Sequence, residues 1–533
     1  MGALCAVALA SPVIAADVAP TGQILTPSAA PGSIFQALNP DLPSDPGFTA
    51  GQAAAVALSP DGKTLLILTS GFNRTFGADG RMIPDRSNEY VFVYDVTGAA
   101  PVKRQVIPLA NAFLGLAWSP AGDRFFVSGG VTDKVMEFAR GPGGFAAGRT
   151  FALGHKAGLG LRVQPEAAGL AVSPDGARLL VTNIQNDSVS LIDLTSGAVI
   201  EQDLRPGVID AAHRGEAGGT FPRAVVWISN TRAYASSERD REVIALAIAP
   251  GVVKVGARIK TQGQPIALLK GKGARLFAVQ DNTDSVALID TAANRIIETI
   301  PTAGPVGWGR GGLGGAGSNA MALSPDGGTL LVSNGGENAV AVVRLDAAAS
   351  GLSAKAKGKA KHDDDGDGDD DDGPSGSAVV GLIPTGWYPT ALAVRPDGRR
   401  IYVVNGKSNT GPVPLGCRNT LATGPGAENA CKATNQYVWQ KEKAGFLTFA
   451  PPTPETLAKL TRQVADNNHM LDKPTDEDAA KIAFLRTHIH HVIYIVKENR
   501  TFDQILGDLT NGADTDPSLV QFGKRITPNF HRL

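Results

Sequence analysis

Apolar and polar positions along this chain recur in one scheme, clearest from Gly169 to Ile200. A short apolar run, 170–172, leads into Ser173-Pro174-Asp175-Gly176, where proline presets φ, aspartate bonds back to the backbone and glycine takes positive φ. Residues 177–182 are apolar almost throughout, as in a strand covered on both faces. Asn186-Asp187 turns the chain, and Val189, Leu191 and Leu194 then alternate with polar partners, close to the period of a half-buried strand. Thr195-Ser196-Gly197 turns it again, and 198–200 opens a fourth strand. Four antiparallel strands joined by tight turns predict one blade of a β-propeller.

Further copies begin at Val56, Leu116, Ala224, Ile266, Met321 and Leu392, giving about seven in all. Their spacing is roughly the 40 to 50 residues of propeller arrays. Most carry Ser-Pro-Asp-Gly or a close variant, as at 59–62, 119–122, 324–327 and 395–398. The copies at 224 and 266 lack that turn, using Asn230 in one and Gly271 and Gly273 in the other. The predicted fold class is all-β, a propeller of about seven blades over 17–450. The string Val172-Ser-Pro-Asp-Gly-x-x-Leu-x-Val-Thr-Asn183, with Ile300-Pro-Thr-Ala-Gly304 and Ile383-Pro-Thr-Gly386 between blades, resembles the YVTN-type bacterial β-propeller repeat. The resemblance covers roughly 50–450 and implies fold; propellers host enzymes, receptors and scaffolds alike.

Two insertions interrupt the pattern. Residues 353–376 alternate lysines and then run aspartates, a composition that builds no core. Asp363-x-Asp365-x-Asp367-Gly368 matches the opening of a calcium loop, but Pro374 stands where a bidentate glutamate is required, so a solvated acidic loop is the better reading. Residues 406–443 carry Cys417 and Cys431, readable as a disulfide in an oxidising compartment or as two free thiols. At the N-terminus, 4–9 is apolar and Val13-Ile-Ala-Ala16 offers small residues for cleavage, so 1–16 reads as a secretory signal without its basic start; a buried strand is the alternative. The expected address is periplasmic or secreted. A formal net charge of −1 gives no bias toward nucleic acid, and no apolar run reaches membrane-spanning length.

From 451 the grammar changes. Thr453 is a predicted N-cap ahead of Pro454 and Glu455, and a second helix starts at Thr475, so 451–488 reads as a helical linker leading out of the propeller. His491-Val-Ile-Tyr-Ile-Val-Lys497 then has the unbroken apolar, β-branched character of a central parallel strand. Glu498-Asn499 follows, and Thr501 to Gln504 has the form of a capping box before a helix. A carboxylate beside an amide oxygen is a pair of hard ligands for a divalent cation. By spacing alone the pair is more often a solvated strand end, and His488, His490 and His491 are more often a polar edge ahead of a buried strand than metal ligands.

The longer string, His491 to Leu509, resembles the N-terminal signature of the bacterial phosphoesterase family that includes phospholipase C and acid phosphatase enzymes. The resemblance spans about 489–533 and implies the truncated start of an α/β, alkaline-phosphatase-like domain, with Glu498 and Asn499 as ligands of a catalytic divalent metal. The family's hydroxyl nucleophile and its later Asp and His ligands lie well downstream of this signature, so the catalytic residues stay unassigned. Two functions are therefore expected to compete. One is an exported propeller linked to a metal-dependent phosphoesterase acting on a phosphoester substrate. The other is a non-catalytic periplasmic propeller that binds a protein or ligand at its face.

Overall fold

The computed structural model describes residues 17–19, 21–71, 73–74, 82–206, 220–304, 314–350, 376–407, 442–495, 500–511 and 515–533. Within them the chain divides into two compact units. The first holds 17–73, 88–407 and 442–470; the second holds 74, 82–87 and the residues from Leu471 onward. Among the described residues no helix is long and apolar enough to cross a membrane.

The first unit is a seven-bladed β-propeller: seven antiparallel sheets of four strands each. Blades 1 to 6 occupy 53–109, 116–152, 167–203, 222–260, 265–301 and 318–384, each strand pairing with the next in sequence. Blade 7 takes three strands from 389–449 and its outer strand, Ile34–Ala37, from the N-terminal segment. That strand pairs with Gly445–Phe449, setting Phe35 opposite Leu447 and Gln36 opposite Phe446. The ring is thus fastened by residues some 410 positions apart.

The core is a set of layers between blades. Seven apolar clusters are found among the described residues, one for each pair of neighbouring blades. The cluster closing blade 7 on blade 1 brings Phe446, Tyr402 and Val404 against Leu65, Phe92 and Tyr94. Second and third strands are buried on both faces, as their unbroken apolar runs require.

The repeated turn has a packing role. In blade 1 the Ser59 hydroxyl donates to Asp61 at 2.6 Å and accepts from the Thr64 amide, while Gly62 sits at φ +70°. A Cβ on that glycine would meet Pro396 of the blade 7 turn at 2.8 Å. Gly122 lies likewise on Pro60, Gly176 on Pro120 and Gly398 on Pro325. The proline of one blade therefore seats the glycine of the next. Blades 4 and 5, without the motif, fill the same ring differently. Asn230 accepts from the Asp175 amide, and the Lys272 stem lies against Gly327 with its ammonium on the Asp326 carbonyl.

The helix α1, Pro454–Asn467, starts where its sequence predicts, with the Thr453 hydroxyl accepting from the Thr456 amide. The expectation had it leading away from the propeller, but it packs back on the outer strand of blade 6, Ala378–Pro384, through Leu457, Leu460, Thr461 and Val464. The Thr461 hydroxyl accepts from the Leu382 amide at 2.9 Å, so the helix satisfies part of an open strand edge. Gly381 makes room for it: a Cβ there would lie 2.4 Å from Leu457 Cγ and 2.7 Å from the Thr461 hydroxyl. Gly381→Val is expected to pry the helix off and destabilise the propeller by about 2 kcal/mol, the usual size for overpacking. Chemical denaturation checks it; an unchanged midpoint would contradict this packing.

In the second unit, α2 (Asp476–His488) is capped by Thr475, as the sequence predicts, and buries no residue. The strand expected over 491–497 is not formed where the chain is described. Residues 491–495 belong to no sheet, and Val492, Ile493, Tyr494 and Ile495 are each about 80% exposed or more. A strand exists only through hydrogen-bonded neighbours, and no other strand follows Phe449 among the described residues. The α/β domain is accordingly not seen. Thr501 does precede the short helix α3, Phe502–Leu506, but its side chain makes no capping bond, so the expected capping box is absent.

Candidate functional site

Glu498 and Asn499, the predicted metal ligands, lie outside the described residues, as do Cys417, Cys431, the acidic run at 353–375 and the signal-like residues 1–16. Directly beyond the Glu-Asn pair, Arg500 lies over the Phe522 ring at 4.7 Å and donates to Gln521, and Asp503 accepts from the Asp516 amide at 3.0 Å. These contacts pin the segment C-terminal to the pair. His531 bridges Asp508, at 2.6 Å, and the Thr527 carbonyl; both contacts raise its pKa, the Asp508 bond more. The Thr527 hydroxyl donates to the Phe522 carbonyl, so this Thr-His-Asp grouping holds a turn together. His488, His490 and His491 are exposed. No group of three or more His, Cys, Asp or Glu side chains able to hold a metal occurs among the described residues.

A second concentration of charge sits in the propeller. In each blade the inner strand begins at one end of the ring. The chain leaves the described propeller at that end for 75–81, 207–219, 305–313 and 408–441, but at the opposite end, with the Ser-Pro-Asp-Gly turns, for 351–375. At the first end Arg223 of blade 4 pairs with Glu238 at 3.6 Å. Its charge also bears on Glu166 ahead of blade 3, Asp281 of blade 5 and Tyr388 ahead of blade 7. Blades 4 and 7 are not neighbours, so the charge of Arg223 acts across the axis. Burial raises the carboxyls of Glu166 and Asp281 and the Tyr388 phenol; Gln185 and Arg223 oppose it at Glu166. Tyr388 lies flat on Gly335, where a Cβ would meet its ring at 2.8 Å. Lys407 lies 4.9 Å from both the Trp387 and Tyr388 rings. The arrangement offers one guanidinium among several partly buried acids, which suits recognition of a polar ligand.

Sequence reasoning missed this cluster. Its members are spread from 166 to 407 with no fixed spacing. The one available signal was the repeated turn after each second strand, which places a left-handed residue at Asp133, Asp187, Arg241, Asp284 and Asn338 and so marks this end of every blade from 2 to 6.

His155 joins blades 2 and 3. Its Nδ1 lies 2.7 Å from Asp133 and its Nε2 2.9 Å from Glu201, with only 7% of the side chain exposed. A neutral imidazole donates one hydrogen bond, so both contacts require the imidazolium. Burial pulls the pKa down, but the hydrogen bonds and charges of Asp133 and Glu201 outweigh it and raise the value to about 9. The folded pKa lies above the unfolded one, so this stabilisation is complete below about pH 6.5 and is lost as pH rises through about 9. It corresponds to about 3 kcal/mol. The melting midpoint is expected to fall between pH 6.5 and 9.5, and His155→Asn to melt lower at pH 6.5 with that fall flattened. A variant as pH-sensitive as the parent would refute the assignment.

The chain matches no family model and no curated protein. Among solved structures, the RRP9 WD40 repeats align over 78% of this chain and all of that one at 12% identity, with a TM-score of 0.50. Virginiamycin B lyase from Staphylococcus aureus aligns over 78% of this chain and 99% of its own at 13% identity, TM-score 0.46. A putative 6-phosphogluconolactonase from Bacteroides uniformis aligns over 56% and 82% at 14% identity, TM-score 0.42. At such identities the likeness to the WD40 repeats establishes the fold alone: this chain is similar to known proteins as a seven-bladed β-propeller.

Proposed function

We propose that the protein is an exported propeller of the YVTN-repeat type joined to a metal-dependent phosphoesterase, with 489–533 as the opening of the catalytic domain. The observation that carries this reading is the run Val492–Ile495, four successive apolar residues exposed on both faces, separated by two residues from Glu498-Asn499. Such a run is stable only inside a sheet covered on both sides, and polar residues at the carboxyl end of such a strand stand where α/β sheets bind ligands.

Glu498 and Asn499 would hold a divalent cation: their oxygens are hard donors, chemically suited to it, and supply two positions of its coordination shell. When bound, the cation polarises a phosphoryl oxygen. The chain's own contribution is positional. Arg500 on Phe522 and Asp503 on the Asp516 amide fix the turn beyond the ligand pair. Export fits the apolar start of the sequence and the Cys417–Cys431 pair. The test is hydrolysis of a chromogenic phosphodiester by protein recovered from its host. Activity should disappear on chelation and return with added divalent metal.

The axial cluster around Arg223 favours a second reading, a non-catalytic propeller that binds a polar ligand or partner. Under that reading the host protein is inactive with every metal tried.

A further inference from the structure

Blade 2 departs from its neighbours at the end of its third strand. In blades 1, 3 and 5 that strand stops at Asp95, Asp193 and Asp290, each accepting the amide two residues on. The third strand of blade 2, Lys134–Gly141, continues past the equivalent position through Arg140 and turns back at Pro142-Gly143. The extension walls one side of a cleft of about 750 Å³ between blades 1 and 2, on the end that carries the Ser-Pro-Asp-Gly turns. That volume falls within the roughly 300–1,000 Å³ of small-molecule sites.

Three cations and three carboxylates line the cleft, but their engagement is unequal. Asp61 accepts from the Ser59 hydroxyl and the Lys63 amide, and Asp123 from the Ser119 hydroxyl at 2.6 Å. Asp95 accepts from the Thr97 amide and hydroxyl and pairs with Arg104 at 2.8 Å. The acids are thus committed to their own turns. Two cations remain weakly held. Lys63 Nζ is 3.9 Å from Asp61, and Arg140 lies over the Phe145 ring at 4.6 Å with only a 3.5 Å contact to the Thr64 hydroxyl. A guanidinium laid on a ring keeps its edge free to grip two oxygens of an anion.

We infer that this cleft binds a small polar molecule bearing a phosphate or carboxylate group, with Arg140 and Lys63 holding the anion. All of the cleft's lining residues belong to the propeller unit. Ribose 5-phosphate, galacturonate and neutral glucose serve as probes in calorimetric titration of the full chain in metal-depleted buffer. At least one anionic probe should bind saturably and glucose should not; which anion binds identifies the group recognised. The double variant Arg140→Gln, Lys63→Gln should weaken that binding at least tenfold while melting like the parent. No saturable binding of either anion, or the same affinity in the double variant, would overturn the inference.

Discussion

A chain lacking residues 17–38 loses its cooperative melt. The outer strand of blade 7 is Ile34–Ala37, and without it Gly445–Phe449 presents an unpaired edge where the ring is fastened by distant sequence. The deletion also removes Leu38, which is fully buried between blades 7 and 1, and Ala30, which packs between blades 6 and 7. Thr26, which accepts from Asn467 of α1, goes with them. Each large buried side chain contributes about 2 kcal/mol, and with the strand pairing the loss approaches the roughly 5–15 kcal/mol by which domains are stable. Leu38→Ala is the graded version and should destabilise by about 3 kcal/mol. Calorimetry decides it; a deletion that melts like the parent would mean the ring closes by other means.

Residues 1–533 expressed alone are expected to hydrolyse neither phosphomonoesters nor phosphodiesters above the blank, with any divalent metal. Metal-assisted hydrolysis needs a fixed cation, an activated nucleophile and groups that hold the developing charge. Two hard ligands leave most of a coordination shell to water. Three hydroxyls downstream of the pair are committed elsewhere: Ser518 donates to Asp516, and Thr515 and Thr527 to carbonyls. The exposed Val492–Ile495 run should also make this form prone to association. Assay with chromogenic esters checks the first point. Metal-dependent turnover by residues 1–533 would show that they hold a complete site.

The repeat made the propeller legible because each blade is local: its strands are consecutive, and its turn chemistry is written in four adjacent residues. Blades 4 and 5 are legible without that turn because their second strands, such as Arg275–Gln280, keep the apolar run that burial on both faces demands. Ring closure was not legible, since Ile34-Phe-Gln-Ala37 is short, lies in a Pro-rich segment and pairs with a strand at the far end of the fold. The caps of α1 and α2 were legible, as local hydrogen-bond chemistry is. The destination of α1 on blade 6 was not, because Gly381 announces nothing in sequence. Arg223 and its acids, the His155 clamp and the Arg140 cleft all join residues of different blades, which no spacing along the chain can reveal.

The most direct test of the phosphoesterase account is Glu498→Ala introduced in the host and assayed on the recovered protein. Metal-dependent phosphoester hydrolysis is expected in the parent and a loss of a hundredfold or more in the variant, with the propeller melt unchanged. Equal activity in parent and variant, or none in either across the metals tried, would contradict it.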